Sequence, residues 1–276
     1  MEKRLTETIR RHLTACLDLL LPRTCIVCGR KLLIDERHLC LQCAIDLPLT
    51  HFWDRVHNPM ADKFNEKLQE RLEIIWGNPE EQNVKADTYE RYAYASALFF
   101  YSENTEYKNI TRELKYNGDI PSGRHFAKML GNRMASCAHF KDVGIVIPVP
   151  LYWKREWSRG YNQAEVIAEE VAMSLGAVMR NDILERVRNT RTQTRVDVEG
   201  KAANVKGAFA IRDAQALADA IESSRKDGEH AGHILLVDDV FTTGSTLLAC
   251  HTALRSAFPA SEVRISVATL AFVGRS

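Results

Sequence analysis

A chain of 276 residues with 45% hydrophobic content can build one core of ordinary size plus an appendage. Its net charge of +1 supplies no global field that would draw it onto nucleic acid or an anionic membrane. No apolar run reaches the ~18 residues of a spanning helix, so no membrane span is expected.

In chain order, Leu5, Ile9, Leu13, Cys16, Leu17 and Leu20 recur at helical spacing. Residues 1–21 are therefore expected to form an amphipathic helix packing on its own protein, with a helix on a membrane surface as the alternative. The short run 17–21 carries an acid and leads into Pro22-Arg23, not a small-residue cleavage site, so it does not read as a secretory signal. The expected compartment is the cytoplasm.

Two Cys-x2-Cys knuckles follow, Cys25 with Cys28 and Cys40 with Cys43. Segment 22–48 is too short to fold around apolar side chains, so a bound metal would supply its folding energy. Four thiolates in a closed tetrahedral shell suit a structural zinc ion, and iron on the same ligands stays open. Two disulfides or a redox pair are competing readings; a reducing compartment weighs against the first and the duplicated knuckle against the second. Cys137 and Cys250 sit in helical patterns and read as core.

Residues 49–92 read as a connector or lid with a helix over 60–75 and no chemistry. From residue 93 a regular order begins. Strands are expected over 97–101, 143–147, 208–211, 232–237 and 263–270. Helices are expected over 105–116, 122–138, 162–175, 213–224 and 245–257. This alternation predicts an α/β domain over 93–276, a mostly parallel sheet with helices on both faces.

The strand over 143–147 runs into Pro148-Val149-Pro150, a rigid backbone at the end of a buried strand. Arg159, Gly160, Asn162 and Gln163 come next, and with the prolines they make a candidate diphosphate-side loop. Residues 186–206 are polar and basic and include Arg191, Gln193, Thr194, Lys201 and Asn204. A mobile loop of that kind can close over a diphosphate and neutralise leaving-group charge; the bland alternative in both places is a solvated surface loop.

Residues 234–246 carry the sharpest signal. An apolar strand ends in Asp238-Asp239, a turn follows with Thr242, Thr243, Gly244, Ser245 and Thr246, and an apolar helix pattern starts at once. Gly244 lets the backbone approach an anion, and helix amides with hydroxyls can hold a phosphate. Ser245 or Thr246 is expected to cap the helix. The paired acids are one step away for a sugar diol or a metal ion. A Walker loop would need a lysine after its glycine-rich turn, and none is present.

This stretch resembles the 5-phosphoribosyl-1-pyrophosphate (PRPP) motif of type I phosphoribosyltransferases. The resemblance implies that Asp238 and Asp239, the catalytic-site carboxylates, hold the ribose hydroxyls, while Thr242 to Thr246 cradle the 5-phosphate. It also implies Mg2+ bound with PRPP and a ribosyl 5-phosphate group passing to a nitrogen acceptor with loss of diphosphate. The whole series is similar to the ComF family: knuckles, Ile-Pro-Val-Pro-Leu, Arg-Gly-Tyr-Asn-Gln, Gln193-Thr194, Asn204-Val205-Lys206-Gly207-Ala208-Phe209, then the PRPP motif. Those proteins are competence-associated and phosphoribosyltransferase-like, with an N-terminal zinc-ribbon module. One departure is Lys201, where arginine is expected; lysine keeps the charge but loses the planar fork. Only residues 271–276 follow Leu270, so a hood over an acceptor is expected from residues 49–110 or the cysteine module. The rival that the resemblance implies is a non-catalytic DNA-uptake accessory that binds single-stranded DNA or a helicase-like partner.

Overall fold

Ile234, Leu235, Leu236 and Val237 alternate in direction along a strand, yet all four are apolar. The structure supplies the reason: helices cover both faces. The computed structural model of the chain describes residues 21–77, 89–189, 207–224 and 232–274. The expected helix over 1–21 lies almost wholly outside the described residues.

Strands β1 (Ala95–Tyr101), β2 (Ile145–Pro148), β3 (Val178–Met179), β6 (Gly232–Phe241) and β7 (Val263–Val273) form one sheet in the order β1-β7-β6-β2-β3. Every neighbouring pair is parallel. Strands β4 (Leu184–Arg186) and β5 (Phe209–Ile211) make a separate antiparallel ribbon.

Helices α2 (Pro59–Gly77), α7 (Ala214–Ser224) and α8 (Ser245–Arg255) cover one face of the sheet. Their Phe64, Leu68, Leu217, Ile221, Leu247 and Leu254 pack against Ile234, Leu236 and Val267. Helices α4 (Ile120–Ala135) and α6 (Gln163–Leu175) cover the other face, where Phe126, Leu130, Ile167 and Val171 meet Leu235 and Val237. The two lie close: a Cβ on Gly131 would come within 2.7 Å of Ser174 Oγ.

The cysteine segment, which carries the short helix α1 (Leu41–Ile45), packs on this second face. Cys25, Val27, Leu32, Cys43 and Leu47 join the same apolar cluster as α4 and α6. Phe100 N–H donates to the Pro48 carbonyl at 2.8 Å, and the Tyr107 hydroxyl donates to the Cys43 carbonyl at 3.0 Å.

Five elements differ from the sequence expectation. The helix expected over 105–116 is a short α3 (Lys108–Arg112) running into a π-helical turn, Glu113–Asn117. Residues 153–159, expected as loop, form α5 (Trp153–Arg159). Strands β3 and β4 are too short to leave a periodic signal. Strand β6 runs past Val237 to Phe241, because β7 continues alongside it and pairs Phe241 with Phe272.

Among the described residues, no helix is long and apolar enough to cross a membrane.

Candidate functional site

Strand β2 ends at Pro148, opposite Val237, while β6 continues. Asp238 and Asp239 therefore lie just beyond the end of one neighbour and beside the other, at the carboxyl edge where open parallel sheets bind ligands. Asp239 is buried, and its Oδ2 sits 3.0 Å from Lys115 Nζ. Its backbone N–H donates to Asp238 Oδ1 at 2.8 Å. Burial first, and the neighbouring Asp239 charge second, push the Asp238 carboxyl up to about 8, with Lys115 opposing them. Burial thus favours the protonated form of the Asp238 carboxyl. In turn Asp239 holds the Lys115 ammonium above its ordinary range against the cost of burial.

Beyond the acids the chain turns sharply. Gly244 has φ 78°, and a Cβ there would meet the Phe241 ring at 2.7 Å. Glycine is required on both counts. Gly244 is also the residue preceding α8, and no side chain caps that helix. The expected cap at Ser245 or Thr246 is not what forms, since Ser245 is already the first helical residue. Thr243 Oγ1 instead lies 3.4 Å from the Ser245 amide and 2.9 Å from Ser245 Oγ. First-turn amides have no intrahelical partner, so an uncapped end turns them toward whatever occupies the bend. Thr242 is exposed, and its carbonyl accepts from Lys63 Nζ at 3.1 Å.

Helix α6 begins at the same edge but is closed by its own side chain. Asn162 accepts from the Ala164 amide at 3.0 Å and donates to the Val149 carbonyl at 3.1 Å. Val149 N–H donates to the Val237 carbonyl at 2.8 Å, so Pro148-Val149-Pro150 is stitched alongside the acid pair. Gly160 terminates α5 with φ 83°. Gln163 is buried and accepts from Arg159, whose guanidinium lies 5.9 Å from the centre of the Tyr116 ring. The Tyr161 hydroxyl donates to the Leu114 carbonyl, which ties this loop to the π turn carrying Lys115. The structure thus brings Pro148, Val149, Pro150, Arg159, Gly160, Asn162 and Gln163 to the acid edge. Arg191, Gln193, Thr194, Lys201 and Asn204 lie outside the described residues.

Two basic residues were not legible as part of this site. Lys115 and Lys63 reach it from helices distant in sequence. Arg186 leaves β4 partly buried, 5.2 Å from the Phe209 ring, where it feels the charges of Arg155 and Asp238. Only the glycine after a basic turn marked residues 115–118. The exposed pair Trp153 and Trp157, 61% and 86% accessible, was readable in the run Trp-Lys-Arg-Glu-Trp-Ser-Arg-Gly, whose spacing and final glycine spell a helix.

The cysteine quartet is a second, separate centre. The four Sγ atoms lie within 4.8 Å of one another, and Cys28 and Cys40 are 3.7 Å apart. Thiolates on ~2.3 Å bonds at tetrahedral angles stand about 3.8 Å apart, so the set fits a four-coordinate metal and not a ~2.05 Å disulfide bond. All four are free thiols. Burial acts to raise the Cys25 thiol, yet hydrogen bonds to backbone groups at Cys28, Cys40 and Val27 bring it down to about 7, while burial and the neighbouring thiols push Cys43 up, so without a cation the quartet does not ionise together.

No protein-family model matches the chain. Over 110 residues it is 36% identical to Competence protein F of Haemophilus influenzae, covering 40% of this chain and 43% of that one. Over 103 residues it is 33% identical to DNA utilization protein YhgH of Salmonella typhi, covering 37% and 39%. Competence protein ComFC of Bacillus subtilis is 24% identical over 147 residues, 53% of this chain and 52% of the relative. These similarities support the ComF family for this chain. The matched region spans about two fifths of the length of the first two relatives. In this chain the sheet, the acid pair and the thiol quartet occur together.

Proposed function

We propose that the Asp238–Thr246 bend binds PRPP, or a ribose 5-phosphate nucleotide, and that the protein transfers the ribosyl 5-phosphate group to a nitrogen acceptor. One observation carries the reading: an uncapped helix start behind Gly244, immediately after two carboxylates at a carboxyl sheet edge. The amides and the hydroxyls of Thr242, Thr243, Ser245 and Thr246 suit the 5-phosphate. Asp238 and Asp239 suit the diol. In the transfer, the C1–N bond forms as the C1–O bond to diphosphate breaks, and the leaving oxygen keeps the electron pair. Arg159 and the bases of the segment containing Arg191, Gln193, Thr194, Lys201 and Asn204 would stabilise that charge. The hard-oxygen set of Asp238 and Asp239 suits Mg2+ arriving with the diphosphate, which neutralises phosphate charge when bound. Zinc on Cys25, Cys28, Cys40 and Cys43 is structural in this reading. We read the chain as cytoplasmic, where PRPP and reduced thiols coexist, and divide it at 21, 48 and 92 into helix, zinc module, connector and catalytic domain.

The relatives' names speak of competence and DNA utilization, and we extend a role in DNA uptake to this chain. A second reading, a non-catalytic accessory, draws on α5: Trp153 and Trp157 stand exposed beside Lys154 and Arg155, with Lys154 Nζ 5.2 Å from the Trp153 ring. Flat rings interleaved with bases suit stacked single-stranded DNA.

Calorimetry with PRPP and Mg2+ is expected to show saturable binding, abolished in the Asp238→Asn/Asp239→Asn variant. Absence of binding to the parent chain sinks the ligand assignment. Diphosphate release across a panel of bases and amines tests turnover. Binding without turnover, with a salt-sensitive single-strand affinity lost in Trp153→Ala/Trp157→Ala, favours the accessory role.

A further inference from the structure

We propose that a cleft at the opposite, amino-terminal edge of the sheet binds a nucleoside 5′-monophosphate, its base against Tyr89 and Tyr92 and its phosphate on Arg91 and Arg264. This is a second site, independent of the bend after β6. Arg264 pairs with His233 at the start of the β6–β7 ladder, whereas Asp238 pairs with Thr269. Five strand residues separate the two levels, about 16 Å at the usual rise.

The cleft has a volume of about 570 Å³, within the range that small ligands occupy. Its walls are Tyr89, Arg91, Tyr92, Tyr94 and Arg264, with His57 at the rim. Tyr92 and Tyr94 have ring centres 6.3 Å apart, and His57 meets the Tyr92 ring edge-on at 4.8 Å. Arg264 lies 4.5 Å over the Tyr94 ring and donates to the Tyr92 carbonyl at 3.2 Å. Arg91 donates to the Ser261 carbonyl at 2.9 Å. Each guanidinium is thus anchored by one backbone bond and keeps further N–H donors.

Charge then selects the ligand. Among the described residues, no carboxylate lines the cleft. Of the acids close by, Asp62 is turned to the Tyr92 hydroxyl at 2.7 Å and to His57 at 3.4 Å, Asp142 to His233 at 2.7 Å while also feeling the Arg264 charge, and Glu90 to Arg255 at 2.6 Å and to the Arg91 backbone amide at 3.1 Å. Among the described residues neither Arg91 nor Arg264 is in an ion pair with an acid. The cleft therefore favours an anion. Tyr89 leaves half its surface exposed, which core packing does not require. Flat aromatic walls beside two fixed guanidinium groups match a molecule with a π face and a phosphate.

The test is calorimetry on the full chain, with adenosine monophosphate as the probe and inorganic phosphate, ribose 5-phosphate and an oligothymidylate in parallel. Saturable binding of adenosine monophosphate is expected, at least tenfold tighter than inorganic phosphate. It is expected to weaken tenfold or more in Tyr89→Ala and in Arg91→Gln, and to persist in Tyr89→Phe, which keeps the ring. The Asp238→Asn/Asp239→Asn variant, which removes the other site, is expected to bind it unchanged. No saturable binding, or binding lost in the double aspartate variant but kept in Tyr89→Ala, overturns the proposal. Oligothymidylate binding that depends on Tyr89 while adenosine monophosphate fails to bind also overturns it, since the ligand would then be a strand.

Discussion

At the scale of residues, Asp238 shows how burial and a like-charged neighbour set chemistry. Its carboxyl is pushed up to about 8, whereas an unfolded chain releases that proton near the ordinary aspartate value. Between those limits the folded state binds more protons than the unfolded one, so stability falls as pH rises. Urea unfolding at pH 5, 6.5 and 8 is expected to show that decline, and Asp238→Asn to flatten it; an unchanged slope would exclude Asp238 as its source. A diol or a cation prefers the ionised carboxylate, so PRPP affinity in Mg2+ is expected to strengthen with pH up to about 8. Lys115 balances the pair from the π turn. Lys115→Met leaves the buried Asp239 charge without its partner. A loss of about 2 kcal/mol at neutral pH is expected, below the range for fully buried pairs because Lys115 is partly exposed. Thermal melts should show the loss largely reversed by adding Asp239→Asn.

At the scale of elements, α8 is held at both ends by different means. Its start carries no side-chain cap, while its end is clamped. Arg255 donates to Glu90 at 2.8 and 2.6 Å and to the Phe258 and Val263 carbonyls at 3.1 Å. His251 lies buried 3.6 Å from the same carboxylate. Arg255→Ala strands a buried carboxylate and two carbonyls, and a cost of about 3–5 kcal/mol is expected in chemical denaturation. A cost under about 1 kcal/mol would mean that the clamp is not what positions the helix. The helix itself was legible, because Leu247, Cys250 and Leu254 keep its period. The π turn was not. Its defining bond, Gly118 N–H to the Glu113 carbonyl, spends one residue more than an α-helix, and the Tyr161 hydroxyl on Leu114 comes from another element. Periodicity cannot register a bond that arrives from 47 residues away.

At the scale of the molecule, the cysteine segment shares one apolar cluster with α4 and α6. If it holds zinc, chelation is expected to lower a single cooperative unfolding transition, not to split off an early one, with about one zinc released per chain by elemental analysis. A separate low-temperature transition would show that the segment folds alone. The sequence by itself determined the strand–helix alternation, the paired knuckles and the acid–hydroxyl bend. Each is a local pattern of side-chain direction, thiol spacing or backbone freedom, and needs only neighbours along the chain. The tertiary structure alone decided that Lys115 faces Asp239, that Lys63 reaches Thr242, that β6 outlasts β2, and that Tyr92 and Tyr94 meet Arg264 in one cleft. Those meetings join residues far apart in sequence through strand order and helix docking, and no spacing along the chain encodes them.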